Sequence, residues 1–83
     1  MKFRAEIDVM PLDALLDPQG KAVTGSMKNI GLDSIENVRM GRHIRLNVVA
    51  SNEDEAKKMV DEACEKLLSN QIMESYSFSI YED

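Results

Sequence analysis

The N-terminal alternation is the feature that most constrains how this chain can fold. Phe3, Ala5, Ile7 and Val9 alternate with Lys2, Arg4, Glu6 and Asp8, the period-2 pattern of a strand with one apolar and one polar face. With only 83 residues in all, the apolar face of that strand has to anchor a single core, so the expectation is one domain over residues 1–83. A chain of this length sits at the small end of what one core can hold together, and such chains often oligomerise.

The rest of the chain reads as alternating helices and strands. Met10 to Leu16 is a loop, and Asp17-Pro18 is a helix-start signal, Asp accepting orphan N–H groups and Pro fitting the first helical position. A first helix runs to about Ile30, with Val23, Met27 and Ile30 on a narrow stripe and Gly31 closing it in the left-handed region. Ser34 to Met40 and His43 to Val49 read as two strands, with Val38 and Met40, then Ile44, Leu46 and Val48, facing inward. Gly41-Arg42 reads as a two-residue hairpin connection. Ser51 or Asn52 caps a second helix ahead of the acidic run Glu53-Asp54-Glu55, which favours the positive end of the helix dipole. Ala56, Met59, Val60, Ala63, Cys64, Leu67 and Leu68 form its broad apolar stripe, and Asn70 suits a left-handed end. Tyr76, Phe78 and Ile80 alternate with Ser75, Ser77, Ser79 and Tyr81 in a last strand. The order β-α-β-β-α-β predicts an α+β, ferredoxin-like fold, with two helices on one face of a four-stranded antiparallel sheet.

Composition removes several function classes. The chain is 43% hydrophobic and 30% charged, which suits a globule and neither disorder nor a membrane protein. No apolar run approaches the ~20 residues that span a bilayer, and Met1-Lys2-Phe3-Arg4 leads into a strand pattern instead of a signal-peptide core, so a cytoplasmic location is expected. A net charge of −5 opposes nucleic-acid phosphates and anionic membranes. Base stacking on an open ferredoxin-like sheet needs aromatic side chains on the open face of its central strands, whereas those positions here hold Arg4, Glu6, His43, Arg45 and Asn47. Neither nucleic acid nor a membrane is an expected partner.

Candidate chemistry is thin. Arg39, Arg42, His43 and Arg45 are the one basic concentration, read as a solvated hairpin or a subunit contact. His43 has no Cys, Asp or second His near it in sequence at ligand spacing, and Cys64, alone in the chain, lies within the second helix's apolar stripe as a small hydrophobe. The carboxylates Glu53, Asp54, Glu55, Asp61, Glu62 and Glu65 mostly lie opposite that stripe, on a solvated face. Gly20, Gly25, Gly31 and Gly41 are too widely spaced for a phosphate-cradling loop. The loop from Met10 to Leu16 is more apolar than solvation requires; its leucines either pack beneath the helices or, at Leu12 and Leu15, face a partner. No catalytic, cofactor-binding or metal-binding residue is expected.

Three segments carry a resemblance. Leu16-Asp17-Pro18-Gln19-Gly20-Lys21-Ala22-Val23, Val38-Arg39-Met40-Gly41-Arg42 and Cys64-Glu65-Lys66-Leu67-Leu68-Ser69-Asn70 resemble, in order and spacing, the strand-to-helix junction, hairpin and second-helix end of PurS, the small subunit family of phosphoribosylformylglycinamidine synthase. After Asn70 the family tends to continue Pro-Val-Ile-Glu where this chain reads Gln71-Ile72-Met73-Glu74. The resemblance implies a non-catalytic bridging subunit for the ATP-dependent conversion of formylglycinamide ribonucleotide and glutamine to formylglycinamidine ribonucleotide. It would be a dimer or dimer of dimers, joining the PurL synthetase to the PurQ glutaminase and assisting ammonia transfer. ATP and Mg would be used by the large subunit, with no cofactor on this chain. The competing reading is a free-standing ligand-sensing module, whose signature would be a Gly-rich turn after the first strand; Met10 to Leu16 contains no glycine.

Overall fold

A computed structural model describes residues 1–83 and places the alternating N-terminal segment at the centre of a sheet. Strand β1 spans Lys2–Pro11, and Phe3, Ala5, Ile7 and Val9 are all buried. Strands β2 (Arg42–Val49) and β3 (Glu74–Glu82) flank it in the order β2-β1-β3. Both pairings are antiparallel, and the register sets Ile7 opposite Ile44 and Phe78, and Ala5 opposite Leu46 and Ile80. Because side chains alternate along a strand, this register gathers the apolar residues of all three strands on one face.

Helix α2 (Glu53–Ala63) covers that face. Asn52 caps it, its Oδ1 accepting the Glu55 N–H at 2.8 Å, and Glu53, Asp54 and Glu55 fill the first turn as the dipole favours. Ala56, Val60 and Cys64, spaced by four residues, are buried against β1. A π-helical turn over Cys64–Leu68 extends the helix and closes where the Ser69 N–H and Oγ both donate to the Cys64 carbonyl. The wider turn rotates Leu67 into solvent, 82% exposed, while Leu68 packs against the core. Met59, about 100° round the helix from Val60, is 44% exposed. The stripe expected from sequence is therefore narrower, running through Ala56, Val60, Cys64 and Leu68. Asn70 takes no left-handed conformation; its Oδ1 accepts from the Ile72 N–H and its own N–H donates to Glu74 Oε1.

Helix α1 (Pro18–Asn29) has the predicted start and stop. Asp17 caps it, and Gly31, at φ 82°, lets the Gly31 and Leu32 N–H groups return to the Lys28 and Met27 carbonyls. Its position differs from the expectation. Neither the sheet nor α2 packs extensively against it, Val23 and Met27 are only half-buried, and Ile30 is exposed. The sheet thus has one covering helix instead of two.

The strand expected over Ser34–Met40 is absent, and with it the Gly41-Arg42 hairpin and the four-stranded sheet. Two of the N–H groups that a ladder there could use are already taken: Val38 donates to Thr24 Oγ1 at 3.0 Å and Met40 to Asp17 Oδ2 at 2.7 Å. Asn37, at φ 56°, breaks the extended path just before them. The fold is α+β with a three-stranded antiparallel sheet, and β2 is an open edge. The molecule is elongated, 51 × 27 × 14 Å, with a radius of gyration of 16.3 Å, against about 12 Å for a compact domain of this length.

Candidate partner-binding surface

Two of the segments that carry the sequence resemblance meet where α1 leaves the sheet. Asp17 is the hub: one carboxylate oxygen caps α1 through the Gly20 N–H at 3.0 Å and the other takes the Met40 N–H. Those backbone bonds, Met40 first and Gly20 second, hold its carboxyl below the usual aspartate range. Thr24 works from the next turn of α1, donating to the Gly20 carbonyl and accepting from Val38. Gly20 has to be glycine because a Cβ there would overlap the Val38 carbonyl oxygen.

Arg39 belongs to this junction. Its guanidinium donates to the Leu15 carbonyl at 3.1 Å and the Leu12 carbonyl at 2.8 Å, which ties down the apolar loop between β1 and α1. Leu12 and Leu15 are half-buried, whereas Leu16 is 75% exposed. Arg39 is therefore not a free hairpin cation.

The other three basic residues separate from it. Arg42 grips Glu74 through two nitrogens and donates to the Leu68 carbonyl, joining β2, β3 and the end of α2. His43 and Arg45 lie on the uncovered face of the sheet. Arg45 Nε donates to both Glu6 oxygens at 2.6 and 2.9 Å, and the His43 ring sits 2.7 Å from Asp8 and 3.4 Å from Glu6. Hydrogen bonding to Asp8, then to Glu6, raises the His43 pKa. Burial works to raise Glu6, but bonds from Arg45 and His43 outweigh it and hold that carboxyl below its usual value. Arg4 completes the face, close to Asp83 and stacked 4.9 Å over the Tyr81 ring.

The reactive side chains of the chain lie apart. Cys64 is buried under α2, where desolvation raises its thiol pKa and suppresses the thiolate. His43, the only imidazole, lies on the opposite face of the sheet. No three His, Cys, Asp or Glu side chains converge as metal ligands would. Tyr76 donates to Asp61 at 2.5 Å, its hydroxyl pushed up to about 12 by that bond, and so straps β3 to α2.

A feature that the sequence reading passed over is an open cleft of about 680 Å³ between α1 and residues 37–39. Lys21, Thr24 and Lys28 line one wall and Asn37, Val38 and Arg39 the other. The signal was present in the spacing, since residues 21, 24 and 28 recur at i, i+3 and i+7 on one helix face.

The profile of one protein family, described as PurS, phosphoribosylformylglycinamidine (FGAM) synthase, matches residues 4–82. A curated relative from Synechocystis, a phosphoribosylformylglycinamidine synthase subunit PurS, is 35% identical over 78 residues, which cover 94% of this chain and 78% of that one. The solved structure of Bacillus subtilis PurS superposes with a TM-score of 0.86 at 31% identity, covering 96% of this chain and 99% of that one. A chain in the structure of PurLQS from Thermotoga maritima gives 0.89 at 30% identity, with coverages of 98% and 99%.

Proposed function

The chain belongs to the PurS family of phosphoribosylformylglycinamidine synthase, which serves purine biosynthesis, and from that premise we propose that it bridges a PurL synthetase subunit and a PurQ glutaminase subunit. The observation that carries this reading is the match to a chain within PurLQS along nearly the whole length of both. In this role the chain contributes to an ATP-dependent carbon–nitrogen ligase without an active site of its own. ATP and Mg act on the large subunit, and ammonia released by the glutaminase passes to the synthetase while this chain holds the two together in the cytoplasm. No helix is long and apolar enough to cross a membrane.

Surface composition supports a life in an assembly. Leu16, Ile30, Val49, Leu67 and Ile72 are each more than two-thirds exposed, and the chain has an open strand edge at β2. Residues 1–83 act in this reading as one domain, and the ferredoxin-like sheet is completed on assembly, a strand from another chain filling the place beside β2. The ligand-sensing alternative finds little support, because in the turn after β1 the Leu12 and Leu15 N–H groups already donate to the Met73 and Leu12 carbonyls and cannot hold a carboxylate.

Reconstitution with PurL and PurQ from the same organism tests the proposal. Glutamine-dependent synthesis should require this chain, whereas ammonia supplied directly should relieve most of that requirement, since the synthetase keeps its amide-activating chemistry. Full glutamine-dependent turnover without the chain would sink the proposal.

A further inference from the structure

The cleft between α1 and residues 37–39 holds three cations, none of which forms a salt bridge within the chain. Lys21, Lys28 and Arg39 appear in none of the ion pairs of the chain; Lys2, Lys57 and Lys58 are unpaired too, but only the first three line this cleft. The acid that shares the cleft, Asp17, has both oxygens committed to the Gly20 and Met40 N–H groups. A cleft of net positive charge is thus open on a chain whose net charge is −5.

Stability does not explain the two lysines of the helix wall. Lys21 follows the first turn of α1, which contains no acidic residue, so a cation sits near the positive end of a helix dipole that disfavours it. The Arg39 Nε is buried with no acceptor. Lys28 in the last turn suits the dipole, but α1 packs its length against neither the sheet nor α2, so the wall it forms with Lys21 supports no core.

We propose that this cleft receives an acidic polypeptide segment from another subunit of the synthase. The proposal rests on the bridging role and names the surface that serves it. Lys21 and Lys28 stand about 10 Å apart along one face of the helix, which fits two carboxylates spaced along a chain better than one compact phosphate. A phosphate site would need convergent free donors, yet the α1 N-terminus is capped by Asp17 and the terminal nitrogens of Arg39 already hold the Leu12 and Leu15 carbonyls. Leu15, Leu16 and Val38 give the cleft an apolar side against which such a segment would anchor while its carboxylates meet the lysines.

The test is assembly of the full chain with PurL and PurQ at two salt concentrations, using wild type, K21Q/K28Q and K21E/K28E. The expected result is at least a tenfold weaker association for K21E/K28E, a smaller loss for K21Q/K28Q, and a flatter salt dependence for both, with circular dichroism and self-association unchanged. Unchanged affinity in both variants would overturn the proposal while leaving the bridging role intact. Loss of self-association instead would reassign the cleft to a second copy of this chain, and shifts of cleft resonances by millimolar inorganic phosphate with no assembly defect would reassign it to a small anion. Failure of the wild-type chain to assemble at all would remove the bridging role and this surface together.

Discussion

The Asp17 carboxylate and the Met40 amide lie 23 residues apart in sequence and 2.7 Å apart in space. That bond joins the cap of α1 to the approach of β2, because the other oxygen of Asp17 holds the Gly20 N–H. Asp17 is only 9% exposed, so its loss leaves the buried Gly20 N–H and the half-buried Met40 N–H unpaired. Asp17→Ala should lower the thermal midpoint by several degrees, and Asp17→Asn by less, since an amide oxygen replaces only one of the two acceptors. The carboxyl pKa is depressed on folding, so its contribution is present above the unfolded value and disappears as pH falls through the folded one. Wild type should therefore lose its advantage over Asp17→Ala in acid; a constant difference between them from pH 7 to pH 2 would refute the assignment.

Two glycines on the same helix should respond to alanine with opposite signs. At Gly25 an added methyl meets nothing within 4 Å, and the gain in helix propensity should stabilise by roughly 0.5–1 kcal/mol. At Gly20 the methyl overlaps the Val38 carbonyl oxygen and crowds the Asp17 carboxylate. Overpacking of this kind costs about 1–3 kcal/mol. Denaturant midpoints moving in the same direction for both variants would show that residues 37–40 do not rest against α1.

Legibility in the sequence followed the range of the interactions. The faces of β1 and β3, the Asp17 cap and the Gly31 stop depend on neighbours a few residues away, and spacing alone reveals them; for α2 it narrows the cap to Ser51 or Asn52. The fate of Ser34–Met40 depends on Thr24 and Asp17, which take its N–H groups from a distance of 14 and 23 residues. No periodicity in the segment records that competition. Leu67 failed for a different reason, since an α-helical wheel assumes 3.6 residues per turn and the π-helical turn departs from it. Arg39, Arg42, His43 and Arg45 cluster in sequence yet point to three places, because the irregular stretch and the strand alternation send them to the loop, the β3 end and the open sheet face.

Helix α2 gives a direct contrast between residues of its apparent stripe. Val60 is 1% exposed within the core cluster, and Val60→Ala should cost about 2 kcal/mol through lost contacts and a residual cavity. Leu67→Ala should stay within about 0.5 kcal/mol, as surface substitutions do. Equal losses in the isolated chain would mean that the helix continues with α-helical geometry to Leu68.

The cluster on the open sheet face has its own pH window. His43, with a pKa raised from 6.5 by Asp8 and Glu6, contributes fully below its unfolded value, and the contribution fades as pH rises through the folded one. Glu6, with a pKa lowered from 4.5, contributes above its unfolded value and fades as pH falls through the folded one. Between about 4.5 and 6.5 both are present. His43→Gln should narrow the difference in denaturation midpoint between pH 6 and pH 8, slightly, because the ring is half-exposed. A profile identical to wild type would mean the imidazole is not held by these carboxylates, and glutamine-dependent synthesis in the same variant should be unaffected.

Self-association follows from how much surface the single chain leaves in water. A compact protein of 9.4 kDa exposes roughly 5,000 Å², whereas this chain exposes 5934 Å². The excess, roughly 900 Å², is about the share that one partner contributes to a standard interface of ~800 Å² per side. Large apolar side chains are among the exposed groups, with Ile30 at 68%, Leu32 at 43% and Ile35 at 39% exposed around the end of a helix that the sheet does not support. A shape extended to 51 Å is hard to sustain in a lone chain with 9 core residues, and an open β2 edge invites pairing. Sedimentation at micromolar concentration should give a dimer or a pair of dimers, with a thermal midpoint that rises with concentration as linkage requires. Ile30→Asp combined with Ile35→Asp should shift the equilibrium towards monomer and lower that midpoint. A 9.4 kDa species alone, stable and independent of concentration in both wild type and variant, would show that α1 stands without a second copy.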